Sequence, residues 1–292
     1  MRIAAALALL LLSACATGSS HAASDAVSHI QWLSSDAPAH KGKGPSYGIT
    51  ELLVTFMNSE WPQVQHQLLT ANSKRSWQMI GNGEPACHST AVHTAEREKL
   101  AYFSDILLVL PAQLIVNRAH LAELPLNTKG EVELPQMLRQ GNLQGALVEG
   151  RSYGAAVDAA VASRPVGGTL KFFSSQGFGD NVLQMVLKGH ADFTIDFDVA
   201  LRTLDERGIA RSQLVGLPIQ GAGEPLVVGI ACPRNAWGLS AIRQIDKLMS
   251  SPAGLGLLRS AGTRWATPEI LRIYGPRLEQ FYKERSKLTT YP

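Results

Sequence analysis

Hydrophobic positions fall along this chain in short blocks of two periods. Ile49, Leu52, Leu53, Phe56 and Met57 share one helical face and predict an amphipathic helix over 47–60, which Trp61-Pro62 ends. Apolar runs at 29–35, 64–69 and 85–89 read as strands. Between them a short helix begins at Ser73, read as its cap, and stops at Gly81-Asn82-Gly83. An extended run over 106–118 is broken by Pro111. A second set follows: strand 144–149, helix 152–163, strand 169–174, helix 180–188 with Val182, Leu183, Met185 and Val186 inward, and strand 191–197. Extended segments at 214–219 and 225–232 flank a loop, and the tail is helical over 240–250 and 268–287.

This alternation predicts an α/β protein with mainly parallel sheets. No repeat of 20–50 residues argues for a solenoid or propeller. The order divides the chain into two lobes: 23–112 begins the first, 113–222 forms the second, and 223–292 completes the first. Two crossings join them, near 110–114 and 219–226. Ligands of open α/β sheets sit at the carboxyl ends of strands, and a space between two lobes is a preferred pocket.

The segment 1–22 stands apart. Arg2 precedes an apolar run over 3–12, too short to span a bilayer but suited to the core of a signal peptide. The expectation is an exported protein, periplasmic or otherwise extracytoplasmic. Two processing routes compete. Leu12-Ser13-Ala14-Cys15 resembles a lipobox, which would lipidate Cys15 and anchor the chain to the membrane through a tether. The alternative is cleavage after Ala22.

Composition narrows the partners. Of the 292 residues, 45% are hydrophobic and 17% charged, which excludes an intrinsically disordered chain. A net charge of +3 and a pI near 8.8, without a run of five like charges, give no support to a nucleic-acid partner.

Two motifs then carry a resemblance. Thr94-Ala95-Glu96-Arg97-Glu98-Lys99 followed by Tyr102-Phe103-Ser104 resembles the T-x-x-R … F-S/T segment of the amino-acid-type (family 3) periplasmic solute-binding proteins. Gly189-His190-Ala191-Asp192 with Val199-Ala200 resembles their G-x-x-D … V-A segment. The order of elements agrees over 29–285. Cys87 and the pair Cys232-Pro233 are similar to those of an uncharacterised subgroup.

The resemblance implies a type II, two-lobed fold with two hinge crossovers. Such a protein closes on a small solute, works as a monomer with an ABC-type permease or a membrane sensor, and uses no cofactor. It implies that Arg97, on a turn capped by Thr94, pairs with a ligand carboxylate. A guanidinium suits that task through its planar, permanently charged fork. Gly150-Arg151-Ser152-Tyr153-Gly154 opens the first helix of lobe two, so Ser152 and Arg151 are candidate contacts from that side. The family position for a ligand amino group is occupied by Phe197, flanked by the candidates Asp196 and Asp198. Asp36, in a segment without the family's stacking aromatic, is a further candidate. Lys74, Arg75 and Arg151 add positive charge. With Cys15 set aside, Cys87 and Cys232 fall on strands that this topology makes neighbours, and in an oxidising compartment they are expected to form a disulfide rather than two buried thiols.

Other readings compete. Gly150–Gly154 also matches G-x-S-x-G between a strand and a helix, but only His190 follows Ser152 and no oxyanion segment is present, which weighs against a serine hydrolase. Dehydratase-like chemistry on the same fold would need a carboxylic acid in the cleft, from Glu149, Asp196 or Asp198. A non-binding envelope protein is the third class. Cys87, His88 and His93 fit no common zinc spacing, and the two histidines are expected to face solvent.

Overall fold

The computed structural model describes residues 27–35, 48–175, 179–206, 208–263 and 268–292. Cys15, the rest of the leader and Asp36 lie outside the described residues.

The first unit runs β1 (His29–Ser34), α1 (Ile49–Glu60), β2 (Gln65–Thr70), α2 (Ser73–Gly81), β3 (Ala86–Val92), the single turn α3 (Ala95–Glu98) and β4 (Ala101–Val109). Leu53 and Met57 fall on the buried stripe of α1, as the periodicity requires. The cap of α2 is Asn72, one residue before the expected Ser73; its side chain accepts the Arg75 amide at 2.9 Å. The second unit follows as β5 (Gln113–Asn117), a 3-10 turn over Arg118–Glu123, α4 (Leu134–Gln140), β6 (Gly145–Val148), α5 (Ala155–Ala162), β7 (Leu170–Phe173), α6 (Asp180–Leu187), β8 (Phe193–Asp196), α7 (Asp198–Glu206) and β9 (Leu214–Pro218). The chain then returns through β10 (Leu226–Pro233), α8 (Ala236–Met249), α9 (Pro252–Thr263) and α10 (Pro268–Arg285).

Two five-stranded sheets result, in the orders β2-β1-β3-β10-β4 and β7-β6-β8-β5-β9. The run broken by Pro111 thus serves both sheets, with β4 in one and β5 in the other. The expectation of mainly parallel sheets needs correction. β1 with β2 and β3, and β6 with β7 and β8, are parallel, whereas β10 and β5 pair antiparallel with both of their neighbours. The reason lies in the crossings. The chain enters β5 and β10 directly from the other unit, so they start at the cleft and run against strands that are fed by helices and end there.

A continuous core spans both sheets, with Trp32, Leu53, Met57 and Ile106 from one side and Leu114, Leu147 and Phe193 from the other fully buried. Burying such a side chain contributes roughly 1.5–3 kcal/mol. Helix α9 carries three glycines, a composition that disfavours helix. Packing requires two of them: a Cβ at Gly254 would lie 2.3 Å from the Leu248 carbonyl oxygen, and one at Gly262 would lie 2.2 Å from the Tyr282 hydroxyl. The tail is locked to the first sheet by a buried ion pair, Arg285 Nη2 to Asp246 Oδ1 at 3.0 Å. The Ser104 hydroxyl and the Thr289 amide also donate to the Asp246 carboxylate. Cys87 on β3 and Cys232 on β10 are joined as a disulfide, with Cα atoms 4.3 Å apart. No helix among the described residues is long and apolar enough to cross a membrane.

Candidate functional site between the lobes

Strands β2, β3, β6 and β8 end facing the gap between the two sheets, and the described segments that follow them build a single polar cluster. Thr94 caps α3 and accepts the Arg97 amide at 3.3 Å, which fixes the direction of the Arg97 side chain. Its guanidinium donates from Nη1 to the Val92 carbonyl at 2.9 Å, within its own lobe, and from Nη2 to the Gly150 carbonyl at 3.1 Å, in the other. The guanidinium carbon lies 4.4 Å from the centre of the Trp77 ring on α2, a cation–π arrangement. Burial, reinforced by the like charge of Arg151, pulls the Arg97 pKa down to about 10, against the opposing pull of Asp158. The group stays charged at neutral pH.

Two more contacts bridge the lobes beside it. Ser73 Oγ donates to the same Gly150 carbonyl at 2.7 Å, and Lys74 Nζ pairs with Glu149 Oε1 at 2.8 Å. Gly150 has φ +76°, and a Cβ there would approach the Lys74 backbone nitrogen to 3.0 Å and its Cα to 3.1 Å. A glycine is therefore required twice, by the left-handed conformation and by the closeness of α2.

Within lobe two, Arg151 forms a two-point pair with Asp196, with Nη1 3.1 Å from Oδ2 and Nη2 2.9 Å from Oδ1. The Arg151 guanidinium also lies near the rings of Tyr153 and Phe197. Burial raises the Asp196 pKa and the Arg151 charge opposes that rise. The Ser152 hydroxyl donates to the Asp158 carboxylate, which also accepts the Tyr153 amide at 2.8 Å. Asp198 opens α7 and pairs with Arg202 at 3.1 Å, and burial raises its pKa.

The structure thus gathers Arg97, Thr94, Arg151, Ser152 and Asp196 around the loop 149–153. Asp198 is held one turn along α7 by Arg202. Asp192 clasps a turn, accepting the Gln144 amide at 2.7 Å and approaching His120 at 3.2 Å. Each of the three acids weighed for dehydratase chemistry has a basic partner: Glu149 with Lys74, Asp196 with Arg151 and Asp198 with Arg202. The hydrogen bonds of the Ser152 hydroxyl run to Asp158 and the Gly154 amide, not to a histidine.

The expectation of two solvent-facing histidines is corrected. His88 is buried on β3, where burial and the nearby Arg97 charge hold its pKa down to about 3. His93 is half-buried between Asp105 and Glu98, at 2.7 Å from each. Among the described residues no group of three or more histidine, cysteine or acidic side chains is arranged to hold a metal ion. Sequence reasoning took Ser73 only as a helix cap and passed over Trp77 and Asp158. Asp158 left a faint signal, an acid one turn into a helix that follows a serine; the other two reach the site only through contacts far apart in sequence.

Comparison with solved structures bears on the architecture. A substrate-binding protein of an ABC uptake transporter from Streptococcus pneumoniae, with bound histidine, superposes with a TM-score of 0.61 at 12% identity, covering 82% of this chain and 92% of that one. The chain has the two-lobed, type II periplasmic-binding-protein fold. Two further structures share it. An ancestral amino-acid-binding protein, described as a precursor of cyclohexadienyl dehydratase, gives a TM-score of 0.59 at 14% identity over 82% of this chain and 96% of that one. A solute receptor for L-cysteine from Neisseria gonorrhoeae gives 0.58 at 12% identity over 90% and 96%. No family model matches the sequence, and no curated protein matches it.

Proposed function

We propose that this chain is an extracytoplasmic solute-binding protein that closes its two lobes on a small carboxylate-bearing solute, for delivery to an ABC-type permease or a membrane sensor. The observation that carries this reading is the position of Arg97. It is a desolvated guanidinium that leaves lobe one at a capped turn and reaches the backbone of lobe two. A solute carboxylate entering there exchanges a neutral carbonyl acceptor for a charged one, and charge-assisted pairs are the stronger. A solute touching both lobes favours the closed form, because only that form makes both sets of bonds. The amino-acid-binding proteins that share the fold support a binding role. Glu149, Asp196 and Asp198, the acids weighed for dehydratase chemistry, are each engaged by a basic side chain.

The test begins with mass spectrometry of small molecules released on denaturing the purified protein. Calorimetric titration of wild type and Arg97→Ala with the released solute follows. Truncating a desolvated charge pair typically costs about 2–5 kcal/mol, roughly 30- to 4,000-fold in affinity. Arg97→Lys should also bind weakly, since an ammonium lacks the fork. Equal affinity of wild type and Arg97→Ala would refute the anchor.

A further inference from the structure

The lobe-two half of the cleft already holds an anion. The Ser152 hydroxyl and the Tyr153 amide both point to one group, the Asp158 carboxylate. Asp158 lies near the start of α5, where the helix dipole favours negative charge. The loop that donates to Asp158 is the one whose Gly150 carbonyl Arg97 reaches at 3.1 Å, and the Asp158 charge raises the pKa of that guanidinium against the like charge of Arg151. Arg97 meanwhile directs both Nη groups to carbonyl oxygens, Val92 on one side and Gly150 on the other. A solute carboxylate gripped from both lobes would need the donors that Asp158 now occupies.

We infer that Asp158 is a resident carboxylate that fills the lobe-two anion position and sets the charge selectivity of the cleft. It excludes solutes that must be held to lobe two by an acidic group. It admits those that turn a carboxylate to Arg97 and a hydrogen-bond donor or a cation to Asp158. The inference rests on the carboxylate-binding reading above. It differs from a plain capping role for Asp158, because a cap stabilises a helix without governing which ions the cleft takes.

Acetate, the smallest carboxylate, is the probe. It is titrated by calorimetry, and by tryptophan fluorescence because Trp77 lies under Arg97. The proteins are wild type, Asp158→Ala and the double variant Asp158→Ala/Arg97→Ala, at ionic strength held constant with sodium chloride. Asp158→Ala should bind acetate at least about tenfold more tightly than wild type, the scale of one charge-assisted contact. The gain should vanish in the double variant. If Asp158→Ala does not fold, Asp158→Ser is measured in its place with the same expectation, its short side chain leaving room for the anion. A folded variant that binds acetate no better than wild type overturns the inference, as does a gain that survives the loss of Arg97. The two proposals fail separately. A released solute without a carboxylate sinks the proposed ligand class and leaves the acetate gain to be judged by itself.

Discussion

The His93 ring stacks on Phe103, with centroids 4.2 Å apart and planes 3° from parallel, and each of its nitrogens meets a carboxylate. Burial pulls its pKa down, but hydrogen bonds and charge from Asp105 on β4 and Glu98 on α3 outweigh that and leave it above 6.5. For a histidine whose pKa is raised by folding, the stabilisation is complete below the unfolded value and is lost as pH rises through the folded value. The melting temperature of wild type should therefore exceed that of His93→Gln most below the ordinary histidine pKa of about 6.5, and the gap should narrow as pH rises beyond it. A gap that is constant with pH would show that the ring acts by packing alone. His88 has the opposite sign: its lowered pKa, about 3, makes it lose stability as pH falls. Subtracting the variant's melt from the wild type's isolates His93 from this background. At the same scale Thr94 and Arg97 were legible through the resemblance of the T-x-x-R segment, and the capped turn the two share is local in the chain. Asp158 was not legible, since an acid early in a helix has the same local pattern whether it faces solvent or a cleft.

Among elements, β10 is the strand on which lobe one closes. It lies between β3 and β4, antiparallel to both, and brings Cys232 to Cys87. The bridge closes a loop spanning 145 positions, and the chain-entropy model for a loop that long gives up to about 5 kcal/mol of stabilisation. Cys87→Ser/Cys232→Ser should lower the unfolding free energy in denaturant titrations, by an amount up to that bound. Thiol titration of denatured, unreduced wild type should find neither group free; finding both would refute the bridge. Helices α8 and α10 complete the same lobe through Asp246, Arg285 and Ser104, which are buried together. Strand positions carrying the two cysteines could be read from apolar runs flanked by turn residues. Helices α4, α7 and α9 escaped that reading. Glycines that elsewhere weaken a helix are needed in α9 for close packing, and packing lies outside what local propensity reports.

At the scale of the whole molecule, the two lobes meet through Ser73, Lys74 and Arg97 on one side and Glu149-Gly150 on the other. Gly150→Ala tests that contact. The left-handed backbone would cost an alanine about 1–2 kcal/mol. Its Cβ would press on the backbone of α2 rather than on a side chain able to move away. The variant should melt lower and show a larger radius of gyration by small-angle X-ray scattering. A variant as compact as wild type would mean that these contacts do not govern the distance between the lobes.

The sequence by itself determined the alternation of strands and helices, the two crossings and the turn that Thr94 caps before Arg97. Each of these depends on residues close together in the chain, through periodicity, capping or a turn. Only the tertiary structure decided the direction of β5 and β10, the pairing of Arg151 with Asp196 and the burial of His88. It also decided that the Gly150 carbonyl would receive both Ser73 and Arg97. Those outcomes join residues tens of positions apart. Which acid a guanidinium chooses, and which histidine loses its water, depends on what the other lobe and the returning strand bring near, and a linear pattern carries no record of that.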